Sequence, residues 1–282
     1  MTFSPGGPRR LAYFGTPDMA VPPLRALVDA GHDVALVITR PDTRRGRGTS
    51  TSPSPVKQAA LELGLEVSHS VDDVLGRGVE LGVVVAFGQL IRADVLDEVP
   101  MVNLHFSLLP RWRGAAPVER AILAGDTETG VCLMRLEVGL DTGPVIDTVR
   151  VPIAPSTTAV DLRAELVRVG CDMLVRDLAA PLPAGEPQQG EPTYAAKLTA
   201  DDRRIDWSCG AEQAVRVIRV GGAWTTFRGA RLKVHAAQLA DAPGHGVFEG
   251  VRLLRVQPEG KAPMSYDDWL RGARPSAGER FE

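Results

Sequence analysis

An asparagine, a histidine and an aspartate are the side chains of this sequence that could do chemistry together. Asn103 and His105 stand at alternate positions near the end of the apolar run Val102-Asn103-Leu104-His105-Phe106. Residues two apart on a strand project to the same face, so the two would share one space. Asp141 lies in Glu137-Val138-Gly139-Leu140-Asp141-Thr142-Gly143, where glycines on both sides hold one carboxylate in a tight loop. A neutral imidazole can accept a proton near neutral pH, a carboxylate can orient it and stabilise its charged form, and an amide can donate to a developing oxyanion. No serine or cysteine has the setting of a nucleophile, since Ser107 lacks an elbow motif and the cysteines lie in ordinary apolar or linker surroundings. Direct transfer of a group between two substrates therefore fits better than a covalent intermediate. Taken singly, each residue also has a structural role open to it: Asn103 as a turn cap, His105 as a satisfied buried histidine, Asp141 in an Asx bond within its own turn.

The elements that must position these residues read as an open α/β sheet. Arg10–Phe14 is a short apolar run closed by Gly15-Thr16-Pro17-Asp18, Met19 to Ala30 is amphipathic with Leu24, Leu27 and Val28 on one stripe, and Val34–Ile38 is a second buried strand. That is a β-α-β unit with the composition of a parallel sheet. Its first turn lacks the glycines of a dinucleotide fingerprint and any Gly-Lys-Ser/Thr cradle. Helix is expected at Pro55–Leu63, strand at Leu81–Ala86, a short helix at Asp94–Glu98, helix again at Pro117–Ala124, β structure at Gly130–Leu136 and Pro144–Val151, and a long helix from about Ala159 to Ala180. In such a sheet, ligands bind beyond the carboxyl ends of the strands, where Asn103 and His105 fall.

Residues 181–192 are rich in Pro, Gly, Gln and Glu without apolar periodicity and read as a linker. Beyond them, short strands at Ala223–Phe227, Arg231–Ala237, Gly246–Phe248 and Val251–Gln257, with a helix at Ala211–Val220, predict a small β-barrel-like domain. The expected division is a catalytic domain over 1–180, a linker over 181–200 and a C-terminal domain over 201–282.

The chain has 282 residues, 44 % of them hydrophobic, enough for a proper core. A net charge of −3 gives no global nucleic-acid signature, so a polyanion would have to meet a local patch. One candidate is the stretch from Arg40 to Lys57, where Arg40, Arg44, Arg45, Arg47 and Lys57 face only Asp42 among Gly, Ser, Thr and Pro. It is either a solvated surface loop or an arm that touches a phosphate backbone. Residues 203–282 carry thirteen Lys/Arg against nine Asp/Glu, a second positive region. Cys132, Cys171 and Cys209 are odd in number, widely spaced and without a CxxC, which argues against disulfides and zinc and for small buried hydrophobes. No metal is expected. Neither a leader-like apolar segment at Met1–Pro8 nor a run long enough to span a membrane is present, so a cytoplasmic location is expected, with no membrane partner.

Blocks in constant order over most of the chain resemble methionyl-tRNA formyltransferases. They are Phe14-Gly15-Thr16-Pro17, Arg40-Pro41-Asp42 with Gly46-Arg47-Gly48 and Ser54-Pro55-Val56-Lys57, Ala86-Phe87-Gly88, Asn103-Leu104-His105 with Ser107 to Pro117, and Gly139 to Gly143. Tail blocks agree: Tyr194–Leu198, Arg204–Ser208, Gly222–Thr225 and Gln257–Lys261. The resemblance implies a Rossmann-like, mostly parallel sheet domain that binds 10-formyltetrahydrofolate as co-substrate, followed by a shortened OB-like β-barrel domain that helps hold initiator methionyl-tRNA. It implies Asn103, His105 and Asp141 as the catalytic set. Phe87, Gly88, Gln89 and Leu90, with Ser107, Leu108, Leu109 and Pro110, would line the folate site. Arg40, Arg44, Arg45, Arg47 and Lys57 would face the tRNA acceptor stem, in a protein acting as a monomer. The chain departs from the family where helix Ala211–Val220 runs almost directly into Gly221-Gly222-Ala223-Trp224, without the usual Asn-Pro-Trp-Pro-like segment, and where 236–251 is short. Gln89 and Arg92 are also unusual. Two other readings stay open: the same folate chemistry on another amine such as an amino-sugar nucleotide, and a folate- or RNA-binding paralogue without turnover.

Overall fold

A computed structural model describes residues 7, 9–44, 51–240, 242, 244, 246–276 and 278–282. The chain divides into two compact units. The first comprises residues through Pro117 with Glu128–Pro152 and Arg163–Ala196; the second comprises Val118–Thr127, Ile153–Leu162 and Lys197–Glu282.

The first unit begins with β1 (Arg10–Gly15), α1 (Val21–Asp29) and β2 (Asp33–Ile38). The helical stretch expected from Met19 starts as a single 3-10 turn at Asp18–Ala20, and α1 proper begins at Val21. Pro22 and Pro23 fall in its first turn, where the missing N–H would have had no partner in any case. Leu24 and Leu27 are buried, and Gly31 at φ 84° lets the chain turn into β2. A small antiparallel pair, β3 (Thr43–Arg44) and β4 (Thr51–Ser52), precedes α2 (Pro55–Glu62). The Ser54 hydroxyl caps α2 by accepting from the Lys57 N–H at 3.0 Å. Then come β5 (Val67–Ser68), β6 (Leu81–Val85), α3 (Ala93–Glu98), β7 (Met101–His105) and β8 (Arg113–Gly114). Next are α4 (Pro117–Ala124), β9 (Glu128–Arg135), β10 (Val145–Pro152), α5 (Ala159–Leu178) and β11 (Tyr194–Ala195).

Seven strands form one sheet in the order β10-β9-β7-β6-β1-β2-β5. The pairs from β7 to β5 are parallel, and β9 and β10 join antiparallel at one edge. This is the mostly parallel, Rossmann-like sheet that near-continuous apolar runs require, because both faces are buried. From β1 the chain crosses first to β2 on one side and later to β6 on the other. The carboxyl ends of β1, β6 and β7 therefore open on a switch point. Ala12, Phe14, Leu36, Ile38 and Val84 cluster on one face with Phe87, whose ring meets Phe14 edge-on at 5.6 Å. Burying each such large apolar side chain contributes about 1.5–3 kcal/mol.

The stretch read as a linker is held along its length in this unit. Glu186 and Val145 exchange backbone hydrogen bonds at 2.8 Å, Thr193 accepts from the Arg113 N–H at 2.9 Å, and β11 pairs with β8. Its pairing runs through backbone groups, which leaves no apolar period in the sequence.

The second unit contains α6 (Ala211–Val220), β12 (Trp224–Phe227), β13 (Ala230–Leu239), β14 (Val247–Phe248), β15 (Val251–Pro258), β16 (Met264–Ser265) and α7 (Tyr266–Ala273). Its antiparallel sheet runs β12-β13-β15-β14, with β16 also on β15, two of its five strands being only two residues long. Buried Ala214, Val215, Val217 and Ile218 of α6 pack with alternate residues Leu232 and Val234 of β13 and Leu253 of β15. An aromatic cluster of Trp207, Phe227, Phe248, Trp269 and Phe281 completes the core. Cys132 is buried and Cys171 half-buried, but Cys209 is exposed, correcting the expectation of three buried thiols: its Sγ donates to Asp206 in a polar turn.

Asp202 accepts from Arg120 at 2.7 and 3.2 Å and from the Thr199 N–H and hydroxyl at 2.8 and 2.9 Å. The Arg120 guanidinium first, and the Thr199 N–H after it, hold its carboxyl down at about 2. A group whose folded-state pKa is depressed stabilises fully above its ordinary range, and that stability is lost as pH falls through the folded value. Asp202→Asn is therefore expected to lower Tm near neutral pH by about 2–4 °C, the shift made by roughly 1 kcal/mol in a chain of this size. The gap to wild type should close as pH falls from about 5 towards 2. A gap that ignores pH in thermal melts contradicts this.

Candidate active site

β7 is buried at all five positions between parallel β6 and antiparallel β9, with Asn103 opposite Val84 and Met134 and His105 opposite Cys132. The pleat sends Leu104 to one face, where α5 approaches so closely that a Cβ on Gly170 would stand 3.0 Å from the Leu104 methyl. Asn103 and His105 project to the other, both buried polar groups that need partners.

Asp141 supplies them. Its loop connects β9 to β10 and folds back tightly: a Cβ on Gly143 would overlap the carbonyl of Arg135, so no larger residue fits. Asp141 itself sits at φ 50°, a left-handed conformation that costs a non-glycine residue on the order of 1 kcal/mol or more. Its Oδ1 accepts from Asn103 Nδ2 at 3.3 Å and its Oδ2 from the Gly114 N–H at 2.7 Å. His105 Nδ1 lies 3.6 Å from the same Oδ2. The other ring nitrogen, Nε2, is 3.0 Å from the Trp112 carbonyl, and because a carbonyl can only accept, Nε2 carries a proton. Trp112 at φ 64° and Gly114 at φ 117° bend the chain so that this carbonyl and the Gly114 N–H face the two side chains. Asn103 and Asp141, 38 positions apart, are thus hydrogen-bonded at the end of β7, and His105 faces the same carboxylate at 3.6 Å.

Two further side chains belong to the arrangement: Arg113, from the block Ser107 to Pro117 but given no role by the sequence, and Gln188, a polar residue in a stretch without period. Gln188 Nε2 donates to the carbonyls of Asp141 and Gly143, both at 2.8 Å, and Arg113 Nε and Nη2 donate to Gln188 Oε1 at 3.1 and 2.7 Å.

Phe87 to Leu90 follow β6, beside β7 in the sheet. Phe87 is buried, its carbonyl accepting from the Thr16 hydroxyl at 3.1 Å, whereas Gln89 is exposed and Leu90 is 75 % exposed. Gly88 turns the backbone at φ 75°. Ser107 is wholly buried and closes its own turn by donating to the Arg111 carbonyl at 2.6 Å; Leu108, Leu109 and Pro110 are half-buried around a cis Leu109-Pro110 bond. Both turns lie at the sheet edge where Asn103 and His105 emerge.

Of the basic residues, Arg40 is exposed just beyond β2 and Arg44 lies in β3. Arg45 and Arg47 lie outside the described residues. Lys57 is held by Asp42, with Nζ–O distances of 2.8 and 3.0 Å. Burial pushes the Cys132 thiol, opposite His105, above its ordinary range, which leaves it protonated and unsuited to nucleophilic attack at neutral pH. Among the described residues no group of three His, Cys, Asp or Glu could hold a metal ion, and no helix is long and apolar enough to cross a membrane.

Residues 9–178 match the family model described as formyl transferase, and residues 197–274 match that of the formyl transferase C-terminal domain. A methionyl-tRNA formyltransferase of Clavibacter sepedonicus is 43 % identical over 295 residues, covering 93 % of this chain and 97 % of that protein. One from Thermobifida fusca is 45 % identical over 310 residues, covering 96 % and 99 %. Among solved structures, an N-formyltransferase from Helicobacter canadensis, in complex with folinic acid and dTDP-3-aminofucose, superposes with a TM-score of 0.68 at 18 % identity over 89 % of this chain and 99 % of that one. A phosphoribosylglycinamide formyltransferase from Bacillus halodurans gives 0.51 at 23 % identity over 61 % and 94 %. These two likenesses are of fold.

Proposed function

We propose, for a chain that belongs to the formyl transferase family and within it to the methionyl-tRNA formyltransferases, that Asn103, His105 and Asp141 carry the transfer of a formyl group from 10-formyltetrahydrofolate to initiator methionyl-tRNA. The activity is formyl transfer to the amine of methionyl-tRNA, as in relatives 40–45 % identical over nearly the whole chain. The observation that carries the residue assignment is the joint approach of Asn103 Nδ2 and His105 Nδ1 to the Asp141 carboxylate at the end of β7.

The neutral α-amine of the methionyl ester attacks the formyl carbon, and the carbonyl π electrons move to oxygen. Asn103 donates to that oxyanion through the amide hydrogen left over from its bond to Asp141. His105 donates through Nε2, with the oxyanion competing against the Trp112 carbonyl for the same proton. Asp141 faces the other ring nitrogen and stabilises the charged imidazole. Collapse of the adduct re-forms the carbonyl and breaks the bond to N10, while the proton lost by the amine is passed to N10. Preorganised donors of this kind contribute on the order of a hundredfold or more each.

The folate would lie against Phe87, Gly88, Gln89 and Leu90 and against Ser107, Leu108, Leu109 and Pro110. The exposed Leu90 side chain and the turned backbone at Gly88 suit a flat heterocycle that needs apolar cover and backbone partners. Arg40, Arg44, Arg45, Arg47 and Lys57 would face the acceptor stem, Lys57 exchanging Asp42 for phosphate. The protein is read as a cytoplasmic monomer.

The decisive experiment incubates the chain with 10-formyltetrahydrofolate and charged initiator tRNA and looks for the formyl-methionyl ester; absence of product with wild type sinks the reading. In the same assay, changing Arg44, Arg45 and Arg47 together to Ala is expected to flatten the salt dependence of tRNA binding by roughly 2–3 in the slope of log K against log salt, because each lost phosphate contact removes about 0.7–0.9. An unchanged slope would place the tRNA elsewhere.

A further inference from the structure

We propose that Gln188, held by Arg113, is a positioning residue for formyl transfer, fixing the Asp141 loop so that its carboxylate stays against Asn103 and His105. The inference rests on the assignment of Asp141 to the catalytic set and extends it to a residue in the stretch read as a linker.

Asp141 stands in a left-handed conformation that the loop alone does not favour, so neighbouring structure must hold it. Gln188 does so directly, because its amide nitrogen spends both hydrogens on the carbonyls of Asp141 and Gly143, the two residues that bracket Thr142. Its amide oxygen accepts both hydrogen bonds of the Arg113 fork, so the side chain has no freedom left. Arg113 is the neighbour of Gly114, whose N–H holds the Asp141 carboxylate at 2.7 Å. Backbone and carboxylate of one residue are therefore tied to the same two-residue strand, one through Gln188 and the other directly. The Glu186–Val145 pair anchors the stretch two residues before Gln188. Gln188 itself approaches neither Asn103 nor His105. Its effect passes through the position of Asp141, whose Oδ2 already stands 3.6 Å from His105 Nδ1, so a small retreat of the loop would separate them.

The test uses the full chain with 10-formyltetrahydrofolate and methionyl-tRNA. Gln188→Ala removes the strut. Gln188→Glu keeps an acceptor for Arg113 and the shape of the side chain, but has no N–H for the two carbonyls. Both are expected to lose kcat by on the order of tenfold to a hundredfold, the effect of a misplacement near 1 Å. The KM for each substrate should stay within about twofold of wild type, since the strut touches neither. Gln188→Glu should still fold cooperatively, with a Tm lowered by the two lost hydrogen bonds. In an Asp141→Ala background, adding Gln188→Ala should change the residual rate by no more than about twofold, because residues acting as a unit are not additive. The proposal is overturned by a folded Gln188→Glu chain with wild-type kcat, by a loss that falls on KM, or by a full-sized further loss in the Asp141→Ala background. Absence of product with wild type would instead remove the assignment of the site itself.

Discussion

His105→Ala is expected to lower kcat by on the order of a thousandfold, with the KM values little changed and the chain still folded. The ring is buried, one nitrogen bonded to the Trp112 carbonyl and the other facing Asp141, so its removal takes away a donor whose position the fold holds fixed. Removing it deletes an oxyanion donor, while Asn103 remains to stabilise part of the charge. The change also strips a partner from the Trp112 carbonyl and from Asp141, so a lower Tm accompanies the loss of rate. Single-turnover measurements with saturating formyl donor separate the chemical step from product release. A rate within about tenfold of wild type would mean that His105 is a structural histidine and that another group supplies the donor.

Asp141→Asn is expected to cost on the order of a hundredfold to ten thousandfold in kcat, although the side chain keeps its shape. One carboxylate oxygen accepts from Asn103 and the other from the Gly114 N–H. An amide placed there must turn its NH2 towards one of those donors, whichever way it flips, and it no longer balances a charged imidazole. The loss should appear in kcat, and the double variant with His105→Ala should be only a few-fold slower than His105→Ala alone, since the two act through one proton. Additive losses in the double variant would show that Asp141 works independently of the imidazole. Full activity in Asp141→Asn would reduce the carboxylate to a brace for the Gly114 turn.

The elements around the site were legible because their local rules agreed. Apolar runs at Leu11–Phe14, Val34–Ile38, Leu81–Val85 and Val102–Leu104 are buried on both faces and form the parallel core. Boundaries moved by one to three residues where a specific group intervened, as at Pro22 and Pro23, which fix where α1 can begin. The linker reading found the right composition, but nothing in a Pro/Gln/Glu-rich stretch announces that Glu186, Gln188 and Thr193 will pair with residues 41, 47 and 80 positions earlier. Lys57 read as one of five cations set against the lone Asp42; that it is held by that carboxylate, 15 residues away, is decided only once β2 and α2 are folded.

By itself, then, the sequence determined which residues could do the chemistry and which face of which strand would carry Asn103 and His105, because alternation along a strand is a local property. It also determined that glycines on both sides would hold Asp141 in a tight loop. Only the tertiary structure decided that this loop closes on β7, that the Trp112 carbonyl takes His105 Nε2, and that Arg113 and Gln188 brace the carboxylate from behind. Those contacts are a few individual hydrogen bonds, between residues from 7 to 75 positions apart, which leave no period or composition for a sequence to display.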